Sequence, residues 1–374
     1  MRPVTVLQLL PALESGGVER STLEIAEALV NAGHRALVVS AGGRLVPRLQ
    51  ALGATHVTMD IGRKSLATLA QVRPLRRLIE HERIDIVHVR SRLPAWIARF
   101  ALTGIPVTRR PYLVSTVHGL NSPSRYSAVM ARADRVICVS GCVRDYVRTH
   151  YPAVDPARLR VIPRGIDPAA FPPRPRPDPA ARAWAAAQHP ALAGDGPLLL
   201  LPGRGTRLKG HADALELLAR LRADGSDARL WLPGARERGR EAYIVELEAI
   251  AAQRGIDAVV AFTAPTDAIA RAYAASDLVL QLSRKPEAFG RTVIEALAVG
   301  RPVLGWAHGG VGELLADLQS KGAVAPFDLL QLHRQACQLL EPDAAPAGTM
   351  PALADFTLQA MQQATLDVYA ELIK

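Results

Sequence analysis

Cysteine, lysine and aromatic side chains are scarce in this chain of 374 residues, and long apolar runs are missing. Three cysteines, Cys138, Cys142 and Cys337, are too few and too scattered for a disulfide framework or a zinc knuckle, so a reducing compartment is expected. No apolar window approaches 18 uninterrupted residues, which excludes a bilayer-spanning helix and leaves only peripheral membrane contact. Met1 to Leu10 holds one arginine and a short apolar run, but Pro11, Glu14 and Ser15-Gly16-Gly17 follow without a small-residue cleavage site. That stretch reads as a first strand, not a signal peptide. Aromatic content of 5%, with no interleaved basic and aromatic face, argues against a nucleic-acid-binding module.

Arginine is abundant. The formal charge is +10, and Lys64, Lys209, Lys285, Lys321 and Lys374 are the only lysines. Residues 1–170 hold 24 basic against 12 acidic side chains, whereas residues 171–374 hold 21 against 23. Residues 60–110 alone hold 11 against 4, so a basic face and an anionic partner are expected in the first half. Hydrophobic residues at 49% and charged residues at 21% fit an ordinary globular protein, and the length suits two domains.

Short apolar runs alternate with amphipathic stretches, which predicts an α/β chain of parallel strands and crossover helices. Expected strands are Val4 to Leu10, Arg35 to Ser40, Ile84 to Val89, Tyr112 to Val117, Arg135 to Val139 and Leu159 to Ile162. The same grammar restarts with strands Pro197 to Leu201, Ala228 to Leu232, Val259 to Phe262, Leu278 to Leu282 and Pro302 to Trp306. Between them lie five prolines at positions 172 to 179, read as a stiff, exposed connector. The expected organisation is therefore a Rossmann-like domain over 1–171, a linker over 172–196, a second Rossmann-like domain over 197–355 and a terminal helix over 356–374. In open parallel sheets ligands collect beyond the carboxyl ends of the strands, so two such domains facing across a cleft would hold them in loops that follow strands.

Three such loops stand out. Gly16 and Gly17, in ESGGVER, precede a helix and could bring backbone N–H groups to an anion, or could simply form a tight turn. PGRGTRLKG, positions 202–210, is neither a nucleotide-hydrolase phosphate loop nor a dinucleotide fingerprint, because no Gly-Lys-Ser/Thr occurs and Leu208 occupies the required third glycine. Arg204 and Lys209 there could clamp a diphosphate, or form a solvated basic turn. In SRKPEAFGRTVIEALAVGRPVLGWAHGGVGELL, positions 283–315, Glu287 and Glu295 lie eight residues apart with a helix expected to begin near Arg291. Helix-terminal N–H groups at Gly290 to Thr292 would face a phosphate, and the two carboxylates suit vicinal hydroxyls.

Taken together these segments resemble the retaining glycosyltransferases of the two-Rossmann-domain GT-B type, in the large family-four group of bacterial sugar transferases. The glycine-rich first loop, Gly203-Arg204 with Lys209-Gly210, and Glu287 with Glu295 occur in the family's order; ADRVICVS (133–140), RGID (164–167) and DLVLQLS (277–283) extend the likeness over nearly the whole chain. The resemblance implies that Arg204 and Lys209 bind the donor diphosphate, that Glu295 binds the ribose, and that Glu287 with the Ala288, Phe289 and Gly290 backbone, beside Arg291, holds the transferred sugar. It implies that His118, in STVHG, stands beside the donor sugar and that the last helix returns to the first domain. Base contacts are expected from backbone near Phe262 and Thr263. The donor is then a nucleotide-diphosphate sugar, and the acceptor a saccharide or lipid-linked hydroxyl of a lipopolysaccharide, capsule or other envelope glycan. Departures are Arg90 where a second histidine is frequent, RGID for Asn-Gly-Ile/Val-Asp, and Phe356 for a tryptophan.

Transferases of another fold hold a metal with an Asp-x-Asp triplet, which this chain lacks, so no metal or other cofactor is expected. Arg63 to Arg83 places Leu66, Leu69, Val72, Leu78 and Ile79 in one stripe beside Arg73, Arg76 and Arg77, with Pro74 interrupting. The stripe reads either as a core-facing helix or as a patch for anionic lipid, which would make the protein cytoplasmic and peripheral on the inner membrane face. A nucleotide-sugar epimerase of the same fold is the alternative activity.

Overall fold

Strands buried on both faces are largely apolar, and Thr5–Leu9 and Leu198–Leu200 are buried at every position, Gln8 being satisfied by the Thr22 carbonyl at 3.1 Å and by Arg90. The computed structural model describes residues 2–14, 16–341 and 350–373, in two units: Met1–Pro163 with Leu358–Lys374, and Arg164–Thr357. In the first unit, seven parallel strands, β1 (Thr5–Leu9), β2 (Arg35–Ser40), β3 (Thr55–Thr58), β4 (Ile86–Val89), β5 (Tyr112–Val117), β6 (Arg135–Cys138) and β7 (Leu159–Val161), lie in the order β3-β2-β1-β4-β5-β6-β7. In the second, β8 (Leu198–Leu200), β9 (Arg229–Pro233), β10 (Val260–Thr263), β11 (Leu278–Gln281), β12 (Val303–Trp306) and β13 (Ala323–Val324) lie in the order β10-β9-β8-β11-β12-β13. Both are Rossmann-like, and in each the order reverses once, between β1 and β4 and between β8 and β11. Loops leaving such neighbours diverge and open a crevice.

Two strands were not visible in the sequence. β3, THVT, is a half-exposed edge strand without an apolar run, and β13 has two residues. The region expected as a connector also differs. Residues 172–196 belong to the second unit, and the units divide at Pro163/Arg164. Asp178 caps the helix Pro179–Gln188 by accepting from the Ala181 N–H at 3.0 Å, and Ala181 and Ala185 are buried where this helix packs on Ile269–Ala275. Proline at the first helical position favours that start, so the proline run does not imply an extended chain there.

The stretch 63–83 divides too. A 3-10 turn, Leu66–Gln71, precedes the helix Val72–His81, whose first turn accommodates Pro74. Leu75 and Ile79 face the core, and Arg76 donates to the Ala101 carbonyl at 3.0 Å. Leu66 and Leu69 remain 87% and 48% exposed, and Val72 and Leu78 are half-buried, so of the expected stripe Ile79 faces the core while most of it lies at or near the surface. Among the described residues no helix is long and apolar enough to cross a membrane.

The terminal helix, Leu358–Ile373, packs on Gly17–Asn31 and sends Met361, Val368, Tyr369 and Leu372 into the core of the first unit. The Tyr369 hydroxyl lies 2.6 Å from His88 Nδ1, and His88 Nε2 lies 2.7 Å from Thr116 Oγ1. Burial raises the Tyr369 pKa.

His211 opens the helix His211–Ala223 in the second unit and is fully buried. Burial pushes its imidazole down to about 4, with the Thr206 backbone opposing the shift and Lys209 adding to it. Below about pH 6.5 the unfolded chain protonates this ring while the native chain does not, so stability rises with pH between about 4 and 6.5. Urea titrations of the wild type should lose about 1–2 kcal/mol more between pH 7 and pH 5 than those of His211→Gln. An equal loss in both proteins would show that this ring is not held neutral.

Candidate active site

The loop after β8 and the loop after β11 leave adjacent strands at the point where the strand order reverses. They do not diverge freely. Gly210 has φ 75°, and a Cβ there would lie 2.0 Å from the Leu282 carbonyl oxygen, so only glycine lets the two backbones approach. The Arg284 N–H donates to the Leu208 carbonyl at 2.8 Å, and the Arg284 guanidinium holds both Asp213 oxygens, at 2.6 and 2.9 Å. Burial raises the Asp213 pKa, and Arg284 counteracts that.

This stitching brings Lys209 and Glu287 together. Lys209 Nζ donates to Glu287 Oε1 at 2.6 Å, with the two side chains 30% and 25% exposed. Gln281 Nε2 donates to Glu287 Oε2 at 3.2 Å, and the Ser283 hydroxyl donates to Oε1. Three donors thus converge on one carboxylate at the carboxyl end of β11. Arg204, four residues before Leu208 on the same loop, is exposed, and among the described residues no side-chain partner holds it.

Gly290 caps the helix Arg291–Ala298 and its carbonyl accepts from the Val293 N–H at 2.9 Å, while the Arg291 and Thr292 N–H groups precede the first intrahelical bonds. Glu295 sits one turn in, is buried, accepts from the Tyr273 hydroxyl at 3.0 Å and pairs with Arg291 Nε at 3.5 Å. Arg291 also donates to the Gly165 carbonyl at 2.6 Å, which ties the RGID segment to this helix. Phe289 is buried 6.3 Å from the Phe356 ring.

The Ala288–Phe289 backbone rests on a feature that was quoted in the sequence but given no role. A Cβ on Gly310 would lie 2.5 Å from Phe289 Cα, and the Gly310 N–H donates to the Glu287 carbonyl at 2.7 Å. His308 Nε2 lies 2.8 Å from the Ser283 carbonyl. Gln281, Ser283, His308 and Gly310 therefore position Glu287; the glycine pair opening a helix after β12 was the sequence signal for His308 and Gly310, and Gln281 and Ser283 had none.

Phe262 and Thr263 end β10, at the sheet edge. The Thr263 carbonyl already accepts from Gly234 and Arg236 N–H groups, each at 3.1 Å, and the Phe262 carbonyl accepts from Arg236 Nε at 3.0 Å. Their carbonyls are engaged by the 234–236 turn, so the base contacts expected of them do not rest on open carbonyls.

In the first unit, Gly16 and Gly17 start the helix Gly17–Asn31 after β1; Ser15 lies outside the described residues. His118 follows β5 and lines a cavity of about 260 Å³ with Arg90, Arg92, Gly119 and Asn121. Arg90 is buried and holds Gln8 Oε1 at 2.8 Å and Ser21 Oγ at 3.2 Å. Burial lowers its pKa to about 10, which leaves it charged at neutral pH.

Residues 15–170 match the family model described as Glycosyltransferase Family 4, and residues 184–346 match the one described as Glycosyl transferases group 1. D-inositol 3-phosphate glycosyltransferase of Xylanimonas cellulosilytica is 33% identical over 236 residues, covering 62% of this chain and 55% of that one. The chain spans about half the length of the curated relatives it matches, 55%, 41% and 41% for three of them. Among solved structures, a glycosyltransferase from Rickettsia africae superposes with a TM-score of 0.87 at 26% identity over 100% of both chains. Anabaena HepE, solved with UDP and glucose, shares the fold with a TM-score of 0.81 at 21% identity over 98% of this chain and all of that one. The two family models, both of glycosyltransferases, follow each other along the chain, one on each Rossmann-like half, and the chain has the two-domain GT-B fold of its glycosyltransferase neighbours.

Proposed function

We propose that the protein transfers a sugar from a nucleotide-diphosphate sugar to an acceptor hydroxyl with retention of anomeric configuration. The observation that carries this reading is the Lys209–Glu287 pair at the β8/β11 switch point. An ammonium has three donors, and Glu287 takes one. The others suit diphosphate oxygens, with the exposed Arg204 supplying a planar fork and the helix beginning at Arg291 supplying backbone N–H groups. Glu287, fixed by Gln281 and Ser283, is left to accept from sugar hydroxyls.

In the reaction, the bond between the anomeric carbon and the diphosphate oxygen breaks and its electron pair stays on the phosphate. The acceptor oxygen bonds to that carbon on the leaving-group face, and its proton passes to the departing phosphate, so no base residue is needed. Cationic groups aimed at the leaving phosphate lower the barrier because they need no reorganisation as charge develops. They take the place of a divalent ion in this scheme.

The acceptor is assigned to the first unit. The cavity beside His118 is lined by Arg90 and Arg92, and the half that holds it carries all of the excess positive charge, which favours an anionic saccharide or a lipid-linked phosphosugar of envelope glycan synthesis. The relatives named D-inositol 3-phosphate glycosyltransferase carry a phosphorylated compound in their name, in keeping with such an acceptor. Leu66, Leu69 and Phe100, exposed beside Arg63, Lys64, Arg73 and Arg77, suit an anionic lipid surface, where each cation contributes about 1 kcal/mol.

Thermal unfolding with UDP-, GDP- and ADP-sugars should single out one donor, since a ligand at 100 times its Kd stabilises by about 2.7 kcal/mol. With that donor, Lys209→Ala should lower turnover about 10- to 100-fold, the worth of one hydrogen bond to a charged group. Glu287→Gln should also slow transfer with an unchanged unfolding midpoint. No stabilisation by any of these donors, or wild-type turnover in both variants, would refute the assignment. On vesicles, the chain should sediment with anionic lipid and lose that binding in Leu66→Asp/Leu69→Asp; equal binding to neutral lipid would remove the membrane from the account.

A further inference from the structure

Helix Leu329–Leu340 in the second unit carries His333 and Cys337 four residues apart, on one helical face. It packs against helix His211–Ala223, whose C-cap is Asp224. His333 Nε2 lies 2.9 Å from Asp224 Oδ2 and 3.8 Å from Cys337 Sγ, and the three ligand atoms lie within 4.8 Å of one another. We propose that these residues form a binding site for a divalent metal ion of the zinc class, clamping the two helices together.

The donor set and its spacing both support this. With bonds of about 2.0–2.3 Å in a tetrahedral site, neighbouring nitrogen, oxygen and sulfur ligands sit roughly 3.3–3.6 Å apart. The pairs at 2.9 and 3.8 Å bracket that value and the Asp224–Cys337 pair lies within 4.8 Å, so adjustment of three surface side chains, without movement of the helices, would seat the ion. One imidazole, one thiolate and one carboxylate match the borderline-soft preference of zinc over magnesium or calcium, which take oxygen. The Asp224 side chain is 60% exposed and that of His333 is 19% exposed, so the site has an entry path and room for a water in the fourth position.

On binding, the Cys337 S–H bond breaks, a metal–sulfur bond forms and the proton leaves to the buffer. The neutral His333 ring binds through Nε2, exchanging its contact with Asp224 for a shared ion. The site lies at the opposite end of helix His211–Ala223 from the Lys209–Gly210 loop, 13 residues or about 20 Å along the axis. Its role is therefore to staple the second unit, apart from the donor site.

Cobalt(II) added to the metal-free full chain should give a thiolate-to-metal absorption band in the near ultraviolet and tetrahedral visible bands, saturating at one equivalent. Zinc should then bleach both and raise the unfolding midpoint. Cys337→Ser and His333→Ala, both on a helix surface, should each abolish the bands and weaken zinc by more than about 100-fold, since even outer-shell changes cost 10- to 100-fold. Cys142→Ser should leave them unchanged. No charge-transfer band at stoichiometric cobalt, or a band that survives Cys337→Ser, would overturn the proposal and leave a plain Asp224–His333 ion pair.

Discussion

The contact between the Gly210 backbone and the Leu282 carbonyl is the constraint from which the donor-side geometry follows. Two loops that would otherwise splay from β8 and β11 are pressed together by a distance no side chain at 210 would permit. The Arg284 bonds to Leu208 and Asp213 hold them in register. Lys209 and Glu287, distant in sequence, meet as a result. A half-exposed ion pair contributes little to stability, typically under about 1 kcal/mol, so the pair does not hold the loops; the loops hold the pair. That is the arrangement expected of a site whose charges must be in place before a ligand arrives.

The first unit uses the same device at its own switch point. Arg90, at the end of β4, reaches Gln8 in β1, so the two strands where the order reverses are tied through a buried cation. A lone charge in that position would be very costly, but Gln8 and Ser21 take its donors, and it stays protonated at neutral pH. The positive charge of residues 1–170 is therefore not only a solvated coat. Part of it is built into the core beneath the cavity that His118 lines. The terminal helix completes this core, with Tyr369 meeting His88 across 281 residues of chain.

Much of this was legible in advance, for local reasons. Strands buried on both faces read as apolar runs, and helices carry their own period, so eleven strands and the doubled Rossmann pattern stood out without any long-range information. What escaped was set by neighbours. THVT is a strand only because β2 offers it an edge. Pro179 begins a helix because Ile269–Ala275 gives Ala181 and Ala185 a surface to bury against, which no reading of a proline-rich segment supplies. The stripe at 63–83, read with Pro74 interrupting it, divides at the change from a 3-10 turn to a helix, which sends Ile79 inward together with Leu75, a residue outside the expected stripe, and leaves Leu66 and Leu69 outside.

The sequence alone determined the doubly wound class, the placement of Arg204, Lys209, Glu287 and Glu295 after strands or at helix starts, and the uneven charge, because each depends on residue type and short-range spacing. Tertiary structure decided which of these groups meet. It paired Lys209 with Glu287, turned Glu295 toward Tyr273 and Arg291, engaged the Phe262 and Thr263 carbonyls elsewhere, and gathered Asp224, His333 and Cys337 at one surface point. Each of those outcomes rests on contacts between elements separated along the chain, and a distance across space is not encoded in any window of sequence short enough to read by pattern.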